Sequence, residues 1–287
     1  YNNFSISERF CTFISVRIPE KNRMTLCISS QAGCALQCTF CATGAQGFDQ
    51  NLTADEIIGQ VWIANYLDRD EPPITNVVFM GMGEPLLNFE AVSSAINLFQ
   101  DDCAFGLSKR KVTLSTAGLV PGIMRMKETL DCSLAISLHS PTDSVRNVLV
   151  PVNRKYPIKD VLAAANEYIE SRQSLRKLII EYTLIEGVND SPQDAAQLAD
   201  LLKSIKCKIN LIPFNTFDGS DYKSPKDQCV KAFKRRLVLA GHRVMIRSTR
   251  GSDIMAACGQ LKSASEKIRK SRVKPDKPAS ADAQPLR

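Results

Sequence analysis

Three cysteines stand close together near the start of the chain, in the segment Cys34-Ala-Leu-Gln-Cys38-Thr-Phe-Cys41. Their C-x3-C-x2-C spacing places three thiolates in one loop. Three thiolates can hold three irons of a cubane 4Fe–4S cluster and leave the fourth iron without a protein ligand. That open iron can be chelated by the amino and carboxylate groups of a small molecule. We expect the neighbouring ring of Phe40 to shield one face of the cluster.

A structural zinc site is the alternative interpretation of the same loop. Zinc would need a fourth ligand, for which Cys27 and His139 are candidates. Zinc sites favour pairs of C-x-x-C segments or Cys/His hairpins, and the chain contains only one C-x-x-C pair. The spacing therefore favours the iron–sulfur cluster.

Further polar residues that could bind a ligand cluster at or just after predicted strands. They are Gly83, Glu84, Ser115, Thr116, His139 and Asn215. In α/β barrels the carboxyl ends of the strands meet on one face, and sites are built there. The arrangement predicts a single site to which every strand contributes.

The elements that must position these residues alternate along the chain. Near-continuous apolar runs predict strands over 24–30, 74–82, 111–117, 132–139, 177–187 and 207–215. Helical patterns lie between them, over 53–67, 89–100, 121–130, 158–171, 191–204 and 226–240. Six βα units in series predict a parallel sheet with right-handed crossovers, curled or closed as a barrel. A further strand is predicted over 243–248, and Thr53 with Glu56 predicts a capping box.

The composition is that of a globular chain, with 44% hydrophobic and 23% charged residues. There is no run of about 18 apolar residues, and the first residues lack the layout of a signal peptide. We therefore expect no membrane association and a cytoplasmic location. Ten cysteines without a secretory signal indicate a reducing compartment.

The net charge of +7 is concentrated at the end of the chain. Residues 262–287 contain eight Lys/Arg and three Asp/Glu, a balance of +5. Mixed with Pro, Ser and Ala, this charge predicts a flexible basic tail, which either is simply solvated or seeks the phosphates of a nucleic acid. We expect three regions: an N-terminal extension or strand region over 1–23, a core barrel over 24–261, and the tail over 262–287.

The three-cysteine loop in a chain of six βα units resembles the radical S-adenosylmethionine (SAM) superfamily. More narrowly, four segments resemble the RlmN/Cfr family of RNA adenosine methyltransferases: 29–34 (Ser-Ser-Gln-Ala-Gly-Cys), 80–86 (Met-Gly-Met-Gly-Glu-Pro-Leu), 137–139 (Ser-Leu-His) and 247–261, which contains Cys258. The resemblance covers roughly residues 13–262. It implies a partial (β/α)6 radical SAM barrel with an added C-terminal strand and the flexible basic tail.

The resemblance also implies roles for individual residues. Cys34, Cys38 and Cys41 would hold the cluster, Cys258 would carry a methyl group, and Cys27 would be the resolving cysteine. The cofactor-binding residues would be Gly83, Glu84, Ser115, Ser137, Leu138, His139 and Asn215.

The implied reaction uses two SAM molecules per turnover. One methylates Cys258, and the second is cleaved to a radical that removes hydrogen from the methylcysteine. The carbon radical then adds to the base, and Cys27 resolves the thioether by forming a disulfide. A radical route suits carbon 2 of adenine, because this electron-poor carbon is not a nucleophile.

The implied substrates are 23S rRNA at the peptidyl transferase centre and tRNA next to the anticodon, each with a flipped or splayed adenosine. Cations that could contact phosphates are Lys109, Arg110, Lys111, Arg235, Arg236, Arg247 and Arg250, although a solvated face is the default for any pair. An electron donor such as flavodoxin or ferredoxin, and a monomer, are also implied.

Carbon 2 and carbon 8 of adenosine are the two targets within the family. Pro85 and the stretch Thr249-Arg250-Gly251 look like the carbon 2 group. Carbon 8 enzymes, which give antibiotic resistance, tend to have Ala and a Gln-aromatic-Gly there. Two further alternatives are a non-catalytic iron–sulfur or zinc RNA-binding module and a radical SAM enzyme acting on a small molecule.

One position departs from the family pattern. Many members carry a glutamate, proposed as the base that removes the ring proton, in a Val-Glu-Ser/Thr-Val segment. The aligned segment here is Phe13-Ile14-Ser15-Val16, so Ile14 replaces the carboxylate. Isoleucine cannot accept a proton. Glu8 after local realignment is one substitute, slow or altered turnover is the alternative, and no proton acceptor is assigned.

Overall fold

A nine-stranded mixed sheet organises the part of the chain that the structure describes. The computed structural model describes residues 3–8, 11–66, 71–172, 176–247 and 260–261. Its strands are β1 (Asn3–Glu8), β2 (Cys11–Glu20), β3 (Arg23–Ile28), β4 (Gln31–Gly33), β5 (Phe48–Asn51), β6 (Asn76–Phe79), β7 (Val112–Thr116), β8 (Ser133–Ser137), β9 (Leu178–Leu184), β10 (Cys207–Pro213) and β11 (Val244–Ile246).

Eight helices accompany these strands in the described ranges. They are α1 (Ala42–Gln46), α2 (Ala54–Tyr66), α3 (Phe89–Gln100), α4 (Val120–Thr129), α5 (Asp143–Leu149), α6 (Ile158–Glu170), α7 (Pro192–Leu201) and α8 (Asp227–Leu239). None of these helices is long and apolar enough to span a membrane.

The order of strands in the large sheet is β1-β2-β3-β6-β7-β8-β9-β10-β11. From β3 to β11 every neighbouring pair is parallel, whereas β1 and β2 join the edge of β3 as an antiparallel hairpin. The predicted fold class is confirmed: the sheet curls into a partial barrel covered by helices, and the added C-terminal strand, β11, pairs with β10.

Burial on both faces explains why charged residues are rare in the parallel strands. Every residue of β7 and of β9 is buried, as expected when helices cover one face of the sheet and a packed interior covers the other. The helices bury one face each. In α6, Val161, Ala165 and Tyr168 are fully buried in the main core.

Two helices begin at capping boxes. Before α2, the Thr53 backbone N–H donates to Glu56 Oε2 (2.8 Å) and the Glu56 N–H donates to Thr53 Oγ1 (3.3 Å), so the predicted box is confirmed. Ser191 and Asp194 form a second box at α7. Each box satisfies backbone N–H groups that the first helical turn leaves without partners.

The structure contains elements that periodicity did not reveal. The short helix α5 and the 3-10 turn Pro151–Arg154 lie between β8 and α6, where the sequence predicted only a connection. Seven residues are too few to show a helical period, and the buried Arg146 interrupts the apolar face. The β4–β5 hairpin and α1 were also missed for their shortness, and both carry the cysteine loop.

Candidate active site

One cavity lies where the parallel strands β6 to β10 end. The described residues that line it come from the cysteine loop and from the carboxyl end of each of these strands. They include Cys34, Cys38, Cys41, Gly83, Glu84, Ser115, Ser137, His139, Glu181, Thr183, Ile212 and Phe214. The sequence predicted one site to which every strand contributes, and the structure brings these residues to one place.

Backbone contacts hold the cysteine loop between β4 and α1. The Cys34 N–H donates to the Gly47 carbonyl (2.9 Å), which ties the start of the loop to the residue before β5. The Cys41 N–H donates to the Cys38 carbonyl (3.1 Å), and the Thr39 N–H donates to the Leu149 carbonyl at the end of α5 (3.1 Å). These bonds fix the backbone of the three cysteines without using their thiols.

The absence of a side chain at Gly44 allows helix α1 to pack against the loop. A Cβ atom at Gly44 would lie 2.9 Å from both the backbone N and the carbonyl O of Cys38. We expect Gly44→Ala to push the loop away from the helix and to reduce iron incorporation, at an overpacking cost of about 1–3 kcal/mol. Iron content and visible absorbance after anaerobic reconstitution measure the effect.

Gly59 in α2 provides the matched control for this prediction. A Cβ there would contact nothing within 4 Å, so Gly59→Ala should leave iron content unchanged and stabilise the helix by about 0.5–1 kcal/mol. Equal iron content in the Gly44→Ala and Gly59→Ala proteins would show that the close contact at Cys38 is not needed for the cluster.

The electrostatics of the cysteine loop favour a cationic occupant. Burial raises the pKa of the Cys34 thiol to about 12, and the negative charges of Glu84 and Cys41 add to this effect. Burial and the neighbouring thiolates also raise the pKa of Cys38 well above its ordinary value, whereas the guanidinium of Arg146 opposes the rise. Cationic iron would offset the repulsion among three thiolates, because metal ligands bind as thiolates.

The donor set fits a 4Fe–4S cluster with one open iron. Three cysteines line the cavity among the described residues, and in a cubane each thiolate binds a different iron. A structural zinc site would need a fourth protein ligand beside these three cysteines. Phe40 is buried beside the cysteines, and its ring meets that of His139 edge-on at 4.6 Å.

The turn after β6 is held tightly against β4. Gly83 has a φ of 98°, and a Cβ there would lie 2.5 Å from Gln31 Cβ, so this position requires glycine. Glu84 is buried, and burial raises its pKa to about 7. Its Oε1 accepts a hydrogen bond from the Leu86 N–H (3.1 Å) and its Oε2 from the Ala117 N–H (2.8 Å). The Glu84 carboxylate therefore joins the ends of β6 and β7.

The other residues predicted to bind the cofactor fall into two groups. Ser115 and Ser137 line the cavity, with their hydroxyl oxygens 3.5 Å apart. Leu138 and Asn215 are buried but do not line it among the described residues. Leu138 instead donates its backbone N–H to the Glu181 carbonyl (3.0 Å). The structure thus places five of the seven predicted residues on the cavity wall.

His139 is buried in a left-handed backbone conformation, with a φ of 58°. Its Nδ1 accepts a hydrogen bond from the Thr183 N–H (3.0 Å), and its carbonyl accepts one from Asn189 Nδ2 (2.7 Å). Burial, with a smaller contribution from the positive charge of Arg146, lowers the pKa of His139 to about 3. The imidazole is therefore neutral at physiological pH.

The pKa of His139 is lower in the folded protein than its ordinary value of 6.5, so the unfolded chain binds a proton first as pH falls. The contribution of His139 to folding stability is therefore complete above pH 6.5 and is lost as pH falls towards 3. Replacing it with Asn, which keeps an acceptor near Nδ1 and tolerates positive φ, should reduce this acid sensitivity by up to about 1.4 kcal/mol per pH unit. Urea unfolding of both proteins at pH 7 and pH 5 measures the difference. If the free energies of unfolding of the two proteins changed equally between pH 7 and pH 5, His139 would not be a buried, neutral imidazole.

Three charged residues of the site were not predicted in the roles the structure gives them. Arg146 is fully buried and donates to the carbonyls of Ala117, Ser137 and Leu138. Glu181 lines the cavity, and Arg247 Nη1 lies 3.8 Å from its Oε2. Arg247, predicted as a phosphate contact, thus faces the cavity. A lone carboxylate within an apolar strand was the signal that could have identified Glu181.

Cys27 lies on the face of the sheet that points into the barrel. It pairs in register with Val78 of β6, and Val78 pairs with Thr113 of β7. Residues two apart on a strand share a face, so Cys27 shares its face with Ser115. Cys27 itself is buried and does not line the cavity among the described residues.

Cys258 and Arg250 lie outside the described residues, as does the basic tail over 262–287. The two described residues that follow Cys258 in sequence are both held at the site. Gln260 Nε2 donates to the Thr216 carbonyl (2.7 Å), and the Leu261 carbonyl accepts a hydrogen bond from Thr43 Oγ1 of α1 (2.6 Å). Leu261 lines the cavity.

Ile14 lies on β2, and the register places it on the interior side. Val16 pairs with Cys27, so Ile14, two residues earlier, shares the Cys27 face. Its carbonyl accepts a hydrogen bond from Ser29 Oγ (2.7 Å). Ile14 therefore places an apolar side chain on the interior side of the sheet.

Comparisons with known proteins agree with this site. The model of the radical SAM superfamily matches residues 28–199. Proteins named dual-specificity RNA methyltransferase RlmN from Marinobacter nauticus and Marinomonas sp. are 57% and 55% identical over 251 and 252 residues, which is 86% of this chain and 68% of each relative. A crystal structure of a radical SAM methyltransferase from Sphaerobacter thermophilus has a TM-score of 0.84 and 40% identity, covering 88% of this chain and 74% of that one.

The superfamily match includes the cysteine loop and strands β6 to β9, and radical SAM enzymes use a 4Fe–4S cluster and SAM. When bound, the cluster supplies the electron that cleaves SAM to a deoxyadenosyl radical. The three thiols of the loop are the residues that would hold it. The chain belongs to the radical SAM superfamily and, within it, to the RlmN family of methyltransferases.

Proposed function

We propose that the chain methylates carbon 2 of an adenosine in RNA, with Cys258 as the methyl carrier. Its substrates are 23S rRNA at the peptidyl transferase centre and tRNA next to the anticodon. The observation that carries the proposal is the convergence at one cavity of the cysteine loop and of Leu261, which lies three residues after Cys258. The relatives are named dual-specificity RNA methyltransferases, which supports RNA as the substrate.

Each cysteine has a separate task in this proposal. Cys34, Cys38 and Cys41 hold the cluster, Cys258 carries the methyl group, and Cys27 forms a disulfide with Cys258 that frees the methylated base. The interior-facing position of Cys27 supports its role. Cys132 is a buried thiol of a different kind: it contacts the hydroxyl of Tyr168 on α6 and does not line this cavity.

The cavity residues bind and orient SAM in this proposal. The turn at Gly83 and Glu84 faces the amino-acid end of SAM, and Ser115, Ser137 and His139 face its remaining groups. His139 is neutral, so it offers its ring without adding a positive charge next to the sulfonium. The apolar side chains of Phe40 and Phe214 exclude water from the radical.

Exposed cations are available for RNA phosphates on the outer surface. Arg110 and Lys111 precede β7, and Arg235 and Arg236 lie on α8, all exposed. Lys109 instead forms an ion pair with Asp131 (3.0 Å). Phosphate contacts of this kind carry affinity rather than sequence specificity.

The test is anaerobic reconstitution with dithionite, SAM and rRNA or tRNA substrate, followed by mass spectrometry of the digested nucleosides. We expect 2-methyladenosine from the parent protein. An 8-methyladenosine product would overturn the carbon 2 assignment in favour of the antibiotic-resistance chemistry. The matched variant is Cys258→Ala, for which no methylated adenosine is expected; full activity of this variant would refute the methylcysteine route.

A further inference from the structure

Glu181 is the charged residue of the cavity to which no role has yet been assigned. It stands in the middle of β9, where its neighbours are apolar, and is only 3% exposed. It pairs in register with Ser137 on one side and Asn210 on the other, and it lines the cavity. Burying a carboxylate is costly unless its oxygens receive hydrogen bonds.

The two oxygens of Glu181 differ in their partners. Oε1 accepts a hydrogen bond from Asn210 Nδ2 (2.8 Å). Oε2 accepts none from any residue that the structure describes, and the 3.8 Å to Arg247 Nη1 is too long for a hydrogen bond. In Glu84, the other carboxylate on the cavity wall, both oxygens accept backbone N–H groups. Glu181 Oε2 is therefore an acceptor in the cavity wall that a donor on a bound molecule could satisfy.

We propose that Glu181 Oε2 binds the ribose hydroxyls of SAM. This inference rests on SAM being the cofactor and is independent of the identity of the RNA. SAM offers three kinds of donor: its ammonium group, its ribose hydroxyls and its adenine amino group. Buried carboxylates at the ends of parallel strands bind ribose hydroxyls in dinucleotide-binding folds, because a vicinal diol presents two O–H donors to one acceptor group.

The layout of the sheet separates the ribose from the ammonium group. Cys34, Cys38 and Cys41 would hold the cluster whose open iron could bind the amino-acid end of SAM, and the Glu84 turn follows β6 on the same cavity. Glu181 lies on β9, three strands away from β6 in a sheet that curls around the cavity, so the two carboxylates face the same cavity from different strands. A cofactor whose amino-acid end lies at Glu84 presents its nucleoside half to Glu181.

The surroundings of Glu181 suit a sugar. Thr183 and Ile212, which pair in register one pleat further along β9 and β10, provide one hydroxyl and one apolar wall. Arg247 favours the ionised carboxylate, whereas burial disfavours it and raises the pKa of Glu181. Hydroxyl donors from a ligand would stabilise the same ionised form that Arg247 favours.

The test compares Glu181→Gln with the parent and with Glu186→Gln, whose exposed carboxylate follows β9 and does not line the cavity. Anaerobic equilibrium dialysis of reconstituted holoenzyme measures binding of SAM, 5′-methylthioadenosine and methionine. For Glu181→Gln we expect roughly 10–100-fold weaker binding of the first two ligands. Methionine, which lacks the ribose, should bind equally to all three proteins.

Two results would overturn the proposal. One is a Glu181→Gln protein with full cluster content that binds 5′-methylthioadenosine as tightly as the parent does. The other is weaker binding of methionine alone, which would assign Glu181 to the ammonium end. Iron content and the visible spectrum of each protein establish that the cluster is intact before binding is compared.

A second measurement uses only the parent protein and does not depend on whether the variant folds. The parent should bind 2′-deoxy and 3′-deoxy forms of 5′-methylthioadenosine more weakly than the unmodified compound, with at least one of them weakened by about 10-fold. Equal affinity for all three compounds would refute the inference. Neither experiment contains RNA. The binding results therefore test the role of Glu181 separately from the proposed methylation of RNA.

Discussion

Replacing Cys38 with alanine is expected to abolish cluster assembly and radical chemistry together. A cluster site left with two of its three thiolates loses one iron ligand, and residues that act as one unit fail together. Formation of 5′-deoxyadenosine from SAM under reducing conditions should fall by at least about 1000-fold. Chromatography of the reaction products and iron analysis of the reconstituted protein measure both effects.

Cys229→Ala is the matched control, because Cys229 is an exposed thiol on α8 that does not line the cavity. This variant should keep the iron content and the 5′-deoxyadenosine yield of the parent. A Cys38→Ala protein that retains four irons and cleaves SAM would mean that the cysteine loop does not hold the cluster.

Replacing Arg146 with methionine is expected to cause the largest loss of stability. Arg146 is fully buried, and its guanidinium donates to the Asn153 side chain (2.6 Å) and to the carbonyls of Ala117 (2.6 Å), Ser137 (3.0 Å) and Leu138 (2.9 Å). Methionine fills a similar volume but donates nothing, so buried acceptors lose their donor. We expect a loss of about 3–5 kcal/mol in the free energy of unfolding, measured by urea denaturation of the holoenzyme.

Arg235→Met on the exposed surface of α8 is the control, with an expected change within about 0.5 kcal/mol. Because three of the Arg146 acceptors are the backbone of the β7 and β8 ends, the Arg146→Met protein should also bind SAM more weakly. A variant as stable as the control would show that the four hydrogen bonds contribute little to the fold.

The chemistry of the site could be predicted where residue type and spacing carry it. The three thiols of Cys34, Cys38 and Cys41 are close in sequence, so their spacing predicted both a shared loop and an open iron. The parallel sheet was predictable because each buried strand is a short apolar run bounded by turns. The capping box of Thr53 and Glu56 was predictable for the same reason: its partners are only three residues apart.

Contacts between residues that are far apart in sequence could not be predicted from residue type and spacing. Arg146 donates a hydrogen bond to an acceptor 29 residues away in sequence. Glu181 and Arg247 are distant in sequence and lie near each other only in the folded sheet. Leu138 and Asn215 matched a motif, and both are buried without lining the cavity among the described residues, so their predicted role in cofactor binding stays a prediction. Long-range pairing depends on the register of neighbouring strands, which one strand's pattern does not specify.

The position of Ile14 illustrates how fold and chemistry can diverge. Its apolar side chain suits a strand in the barrel, although the family resemblance predicts a carboxylate at this position. A ring proton must still be removed during methylation of an aromatic carbon. We make no assignment of that step to Glu181, because its expected partner is the ribose of SAM.

In the proposed reaction, a radical activates a methyl group held on Cys258. SAM that carries three deuteriums in its methyl group tests this step. The radical removes one deuterium from the methylcysteine, so the methyladenosine product should carry two deuteriums and the 5′-deoxyadenosine one. Mass spectrometry of both products from a reconstituted reaction gives the answer. If the product methyl group retained all three deuteriums and 5′-deoxyadenosine contained none, the methyl group would have been transferred directly from SAM. That result would contradict radical activation of a methyl group on Cys258.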